Sequence, residues 1–291
     1  MTTAKRDSAE VLLSILGVAR QDERVRAVLL SGSRANPAVE TDDFQDYDIV
    51  YAVTDVASLR GNDAWLDAFG PRLIMQKPEA MHLFPPAPGN RFTYLMLFED
   101  GNRIDLTLVP VAELADTIAS DGLATVLLDK DNRIPVPRAA SDKSFHIRPP
   151  TGRTFDDCCN EFWWLSTYVA KGLCRGEFFY AAYHLAHGMR SCLMIMLAWE
   201  IGTREGFAVN LGNEYKYIPR FLPPDVTLRL MRTYDNGSTA HLHDALGETL
   251  ALFREASRKV ARYFSYSYPD YDDKVSPYLA RTAGKKRAAF V

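Results

Sequence analysis

Apolar positions along this chain follow two rhythms, and the change between them falls near residue 150. In the first part the apolar runs are short. Asp7 to Arg20 carries Val11, Leu12, Ile15, Leu16 and Ala19 at helical spacing, with Ser8 as its expected cap. Arg24 to Leu30 and Asp48 to Val53 have the Val and Leu richness of buried strands. Asn62 to Phe69 reads as a short helix capped at Asn62 and stopped by Gly70-Pro71, and Leu73 to Met75 as a further strand. The proline-rich His82 to Asn90 is a loop. Phe92 to Phe98 and Arg103 to Val109 flank the turn Glu99-Asp100-Gly101-Asn102, which predicts a hairpin. Val111 to Ala119 reads as a helix, and Thr125 to Leu128 as a last short strand.

Arg133 to Pro150 then concentrates Pro135, Pro137, Pro149 and Pro150, the composition of a linker. Beyond it, Thr154 to Leu173, Glu177 to Ile201, roughly Asp225 to Tyr234, and Ala240 to Tyr266 carry long apolar stripes at helical spacing. The pattern predicts an α+β protein: a mixed sheet with helices over residues 1–138, then an α-helical bundle over 150–291. A functional site is expected in the cleft between such units. The basic end, Lys285-Lys286-Arg287, reads as a solvated tail.

Composition narrows the classes of function. The 291 residues are 47% hydrophobic and 24% charged, ordinary for a globular protein. A net charge of -3 argues against a nucleic-acid footprint. No apolar run approaches the ~20 residues of a membrane helix, and Met1 to Ala19 lacks the apolar core of a secretory signal. Cys158, Cys159, Cys174 and Cys192 show no Cys-x-x-Cys spacing, so they are expected as free thiols in a reducing cytoplasm. A monomer is the simplest expectation for the assembly.

The chemistry concentrates where the first strand ends. Leu29-Leu30-Ser31-Gly32-Ser33-Arg34 is followed, after a polar loop, by Asp46-Tyr47-Asp48-Ile49-Val50. Strand alternation points Asp46 and Asp48 the same way, and adjacent carboxylates repel unless a cation joins them. A hard ion such as Mg2+, shared with phosphate oxygens, suits that position. Gly32 permits a tight turn, and Ser33 offers an N–H and a hydroxyl to a phosphate. Arg34 is either a phosphate contact through its paired donors or a surface arginine. Downstream, Arg103, Asp105 and Thr107 share one strand face while Ile104, Leu106 and Leu108 form the other.

Gly-Ser, a gap and Asp-x-Asp resemble the signature of the nucleotidyltransferase superfamily that includes polymerase beta. The wider string Gly32-Ser33-Arg34-Ala35-Asn36-Pro37 with Asp43-Phe44-Gln45-Asp46-Tyr47-Asp48-Ile49-Val50 is similar to the aminoglycoside 6-adenylyltransferases. Cys159-Asn160-Glu161-Phe162-Trp163-Trp164, Tyr168-Val169-Ala170-Lys171-Gly172-Leu173 and Tyr180-Ala181-Ala182-Tyr183-His184-Leu185 resemble that family's second half. The resemblance implies a polymerase-beta-like first domain and transfer of AMP from ATP to a hydroxyl of an aminoglycoside, streptomycin foremost. It also implies Asp105 as a third carboxylate beside Asp46 and Asp48, with Mg2+, two ions on the superfamily's pattern. Gly32, Ser33, Arg34 and Lys171 are the expected nucleotide contacts. Asp157, Glu161 and Trp164 are the expected contacts to a polycationic substrate, with carboxylates for its charges and an aromatic face for its guanidinium groups. A bland reading stands beside each: Trp163 and Trp164 as core, Glu161 as a surface charge, Lys171 and Arg175 as a solvated helix face. The general base is Asp105 or Glu161. His184 and His187 read as packing residues, since no third metal ligand stands near them. Another acceptor, a protein hydroxyl or tRNA, and a nucleotide-binding regulator without catalysis are the rival functions.

Overall fold

The computed structural model describes residues 4–85, 89–134 and 140–283. Its packing separates two units, Met1–Ser144 and Phe145–Val291. Pro135, Pro137 and the Lys285-Lys286-Arg287 tail lie outside the described residues.

The first unit is built on a six-stranded mixed sheet. Its strands are β1 (Val25–Leu30), β2 (Tyr47–Val53), β3 (Arg72–Gln76), β4 (Phe92–Phe98), β5 (Arg103–Pro110) and β6 (Thr125–Asp129), in the order β3-β4-β5-β2-β1-β6. Only β2 and β5 pair in parallel, with Tyr47 opposite Ile104 and Asp48 opposite Asp105. The remaining neighbours are antiparallel. β4 alternates buried and half-buried positions along its whole length, as a strand with one dry face must. β2 is buried at every position from Tyr51 to Val53, because a central strand is covered on both faces.

One face packs against α1 (Ser8–Gln21), whose Val11, Ile15 and Ala19 meet Val28, Tyr47, Ile49 and Tyr51. The cap of this helix is Asp7 and not Ser8. The Asp7 side chain accepts from the Glu10 N–H while Glu10 reaches back to the Asp7 N–H, a reciprocal cap that a serine one residue later cannot make. On the other face a smaller apolar group forms around Ala27, Leu29, Ala52, Val109 and Leu114. The short helices α2 (Gly32–Ala35), α3 (Val56–Arg60) and α4 (Leu114–Ser120) fill the connections. The segment expected as one helix from Val111 starts as a 3-10 turn and turns α-helical only at Leu114. Asp63–Phe69 is a 3-10 helix capped by Asn62 and closed at Gly70.

The β4–β5 hairpin turn carries a polar lock. Arg6 Nε donates to Asp100 Oδ2 at 2.6 Å, and Asn102 Nδ2 donates to the same carboxylate at 3.0 Å. Burial opposes ionisation of Asp100, but these hydrogen bonds outweigh it and hold its carboxyl well below the usual range.

The second unit is helical. α5 (Gly152–Arg175), α6 (Phe178–Tyr183), α7 (Arg190–Glu205), α8 (Pro224–Arg232), α9 (Thr239–Phe264) and α10 (Tyr271–Ala283) enclose one apolar core. At its centre the Phe162 ring stacks on Phe253, centroids 3.6 Å apart. The expected helix Glu177 to Ile201 is divided: a π-helical turn over His184–Met189 joins α6 to α7. Gly188 in that turn lies against Leu165, where an added Cβ would overlap the leucine side chain. A mixed sheet followed by a helical bundle is the α+β architecture that the apolar pattern predicts.

Candidate active site

The antiparallel pairing of β1 with β2 brings the end of β1 to the start of β2, and Ser31 N–H donates to the Asp48 carbonyl at 2.8 Å. The chain then turns through Gly32 with φ +66°, a conformation that a side chain resists. A Cβ at Gly32 would overlap the Asp48 carboxylate. The turn therefore wraps the acid directly, with Ser33 next along α2. Gly32→Ala is expected to displace that carboxylate, lowering the transfer rate about 10²-fold or more and stability by roughly 1–2 kcal/mol. Initial rates and thermal melts of the purified variant check both.

Asp46 immediately precedes β2, Asp48 is its second residue, and parallel register sets Asp105 of β5 beside Asp48. Burial raises the Asp48 carboxyl to about 6, and the charges of Asp105 and Asp46 add to that rise. Among the described residues, no side-chain donor meets the Asp48 carboxylate. Arg103 answers the other two acids. Its Nε and Nη2 donate to Asp105 Oδ1 and Oδ2 at 2.8 and 2.7 Å, and its Nη1 lies 3.5 Å from Asp46 Oδ2.

The donor set fits a hard divalent ion: carboxylate oxygens from adjacent strand ends, and a glycine turn with no side chain where the Asp48 oxygen sits. As they stand, no three or more Asp, Glu, His or Cys side chains among the described residues are gathered closely enough to enclose one. The Arg103 guanidinium lies between two of the acids, bonded to Asp105 and 3.5 Å from Asp46.

Arg34 stacks its guanidinium 3.9 Å above the buried Tyr47 ring and donates from Nη2 to the Gln45 carbonyl at 2.9 Å. Its Nε is buried without a partner among the described residues. Arg34 is thus anchored beside the glycine turn and is not a freely solvated arginine.

The remaining predicted site residues all stand on α5 of the helical unit. The neighbouring tryptophans separate: Trp163 is 1% exposed in the core, while Trp164 is 59% exposed. Trp164 Nε1 donates to the Tyr168 hydroxyl at 2.9 Å, and Lys171 Nζ lies 4.8 Å from the Tyr168 ring centre. Glu161 is exposed, and Asp157 makes an exposed ion pair with Arg153 at 3.0 Å. His184 packs among Tyr168, Tyr180 and Tyr183, with centroids 4.5 to 5.5 Å away. That is ring packing, as expected for it, and His187 likewise packs on Tyr183. This aromatic group is assembled by the π-helical turn, and nothing in the apolar spacing announces it. Arg103 was visible in the sequence only as a neighbour of Asp105 on one strand face.

A glycine turn closed around one strand-end aspartate, with two more carboxylates beside it, stands at one end of the mixed sheet, and by its family the chain is a nucleotidyltransferase. The chain belongs to the streptomycin adenylyltransferase family, whose sequence model matches residues 5–282. It is 46% identical over 280 residues to an aminoglycoside 6-adenylyltransferase of Campylobacter jejuni, covering 96% of this chain and 97% of that one. It is 47% identical over 274 residues to the Bacillus subtilis aminoglycoside 6-adenylyltransferase, covering 94% and 96%. A crystal structure of an aminoglycoside 6-adenyltransferase from Bacillus subtilis, 43% identical, covers 95% of this chain and 98% of its own with a TM-score of 0.48. The protein is an adenylyltransferase enzyme, and no helix among its described residues is long and apolar enough to cross a membrane.

Proposed function

We propose that this protein transfers AMP from ATP to a hydroxyl of an aminoglycoside, with streptomycin the first substrate, and so confers resistance in the bacterial cytoplasm. The observation that carries the reading is the Gly32 turn wrapped on Asp48, with Asp105 in register beside it. The family's description and the names of the relatives support the substrate class.

The acceptor oxygen forms a bond to the α-phosphorus, the bond between that phosphorus and the β-bridging oxygen breaks, and pyrophosphate leaves with its electron pair. Gly32 and Ser33 present backbone and hydroxyl donors to the phosphates, and Arg34 stands beside them to pair with phosphate oxygens. Asp46, Asp48 and Asp105 would hold Mg2+, as two ions, whose charge when bound offsets that of the phosphates and polarises the α-phosphate. Asp105 accepts the proton of the attacking hydroxyl. In the helical unit, Asp157 and Glu161 attract the cationic drug, Trp164 offers its exposed face to a guanidinium group, and Lys171 is a further contact for the triphosphate. We assign nucleotide chemistry to a domain of residues 1–138 and drug recognition to 150–291. The acidic balance favours a small-molecule acceptor over nucleic acid.

Mass spectrometry of streptomycin after incubation with enzyme, ATP and Mg2+ tests this. A gain of one AMP is the expected result. Unchanged drug beside continued release of pyrophosphate would mean a different acceptor.

A further inference from the structure

Arg103 stands in none of the roles above, yet it contacts two of the carboxylates at the acidic end of the sheet. Alternation along β5 puts it on the same face as Asp105, and its fork meets that carboxylate with two bonds, at 2.8 and 2.7 Å. The parallel register that pairs Tyr47 with Ile104 brings Asp46 alongside it, 3.5 Å from Nη1. The side chain is 43% exposed, and Ile104, Leu106 and Leu108 point to the opposite face, so Arg103 does little for the core. One guanidinium therefore lies where positive charge is needed between two of the three carboxylates.

We propose that Arg103 is a positioning residue that competes with the divalent ion for Asp46 and Asp105, so that the ion binds tightly only together with nucleotide. An ion ligated by those carboxylates has to displace the guanidinium from at least one of them. Alone, it offers Arg103 no new partner. Arriving with a triphosphate, it brings oxygens that the released fork can take in exchange. The ion and the nucleotide then favour one another through a residue that need not touch the reacting phosphorus. This rests on the assignment of Asp46 and Asp105 as ion ligands.

The experiment is Mn2+ binding without nucleotide, followed by the loss of the free-ion resonance signal, for the full-length wild type, Arg103→Gln, Arg103→Lys and Asp48→Asn. Circular dichroism establishes that each is folded. Arg103→Gln is expected to bind Mn2+ about tenfold tighter, the worth of a charge-assisted pair that no longer has to be broken. Arg103→Lys, which keeps a point charge without the fork, is expected between glutamine and wild type. The tightening of Mn2+ binding by a non-hydrolysable ATP analogue should shrink in Arg103→Gln. A residue that merely supported the strand would leave ion affinity unchanged or lower it. Equal or weaker Mn2+ binding by Arg103→Gln overturns the proposal. Asp48→Asn separates the two ideas: if it binds Mn2+ as wild type does, the carboxylate assignment itself is wrong.

Discussion

Asp48→Asn is expected to lose adenylyl transfer by about 10³-fold or more and to become more stable than the wild type above pH 6. The first effect follows from removing a charge that the phosphates' counter-ion needs. The second follows from linkage. The folded Asp48 carboxyl sits at about 6 against an ordinary 3.8, so folding favours its protonated form. Its contribution to stability is full below pH 3.8 and is lost as pH rises through 6. At pH 7.5 the loss amounts to about 3 kcal/mol at most, from 1.36 kcal/mol per pH unit. An asparagine keeps the shape, carries no charge at any pH, and escapes the penalty. Melting curves of the two proteins should therefore nearly coincide at pH 3.5 and separate on the order of 5 °C in favour of the variant at pH 8. Mg2+ together with a non-hydrolysable ATP analogue should raise the wild-type melting temperature at pH 8 and raise that of Asp48→Asn much less. A variant less stable than wild type at pH 8 would contradict the electrostatic account of this carboxylate, whatever its activity.

The same residues show what the sequence makes legible. The hairpin around Asp100-Gly101 could be read because alternation and turn chemistry are both local, and the structure turns there with Gly101 at φ +81°. Asp46 and Asp48 could be placed on one face for the same reason. Arg103 is different: that it shares a face with Asp105 is local, but that it also reaches Asp46 depends on β2 and β5 being parallel neighbours. No property of either strand alone specifies that pairing. Trp163 and Trp164 differ by one helical step of about 100°, enough to put one in the core and the other on the surface. The π-helical turn at His184–Met189 leaves the apolar pattern continuous, so spacing cannot report it. α10 has no clear signature in the apolar spacing, because Pro277 interrupts it and acidic Asp272 and Asp273 open it. The structure answers Asp272 with Arg254 at 2.6 Å, a partner from another helix.

Asp105→Asn and Glu161→Gln are expected to fail in different ways, and the difference identifies the proton acceptor. Asp105 stands in register with Asp48 and is held by both arms of Arg103. On the proposed assignment its amide variant should lose divalent-ion binding and turnover together, since one carboxylate would serve both. Glu161 belongs to α5 of the helical unit and is exposed, the setting of a residue that meets a cationic substrate by charge. Glu161→Gln should bind ATP and Mg2+ as the wild type does, and at saturating streptomycin its kcat should stay within about threefold, because lost ground-state binding appears in KM. The rise in KM should be a few-fold, the worth of one exposed ion pair. A positioned base behaves otherwise: its removal lowers kcat by about 10²–10⁴ even when substrate is saturating. If Glu161→Gln shows that collapse with ion binding intact, the base is on the helical unit, and Asp105 is left with the ion alone.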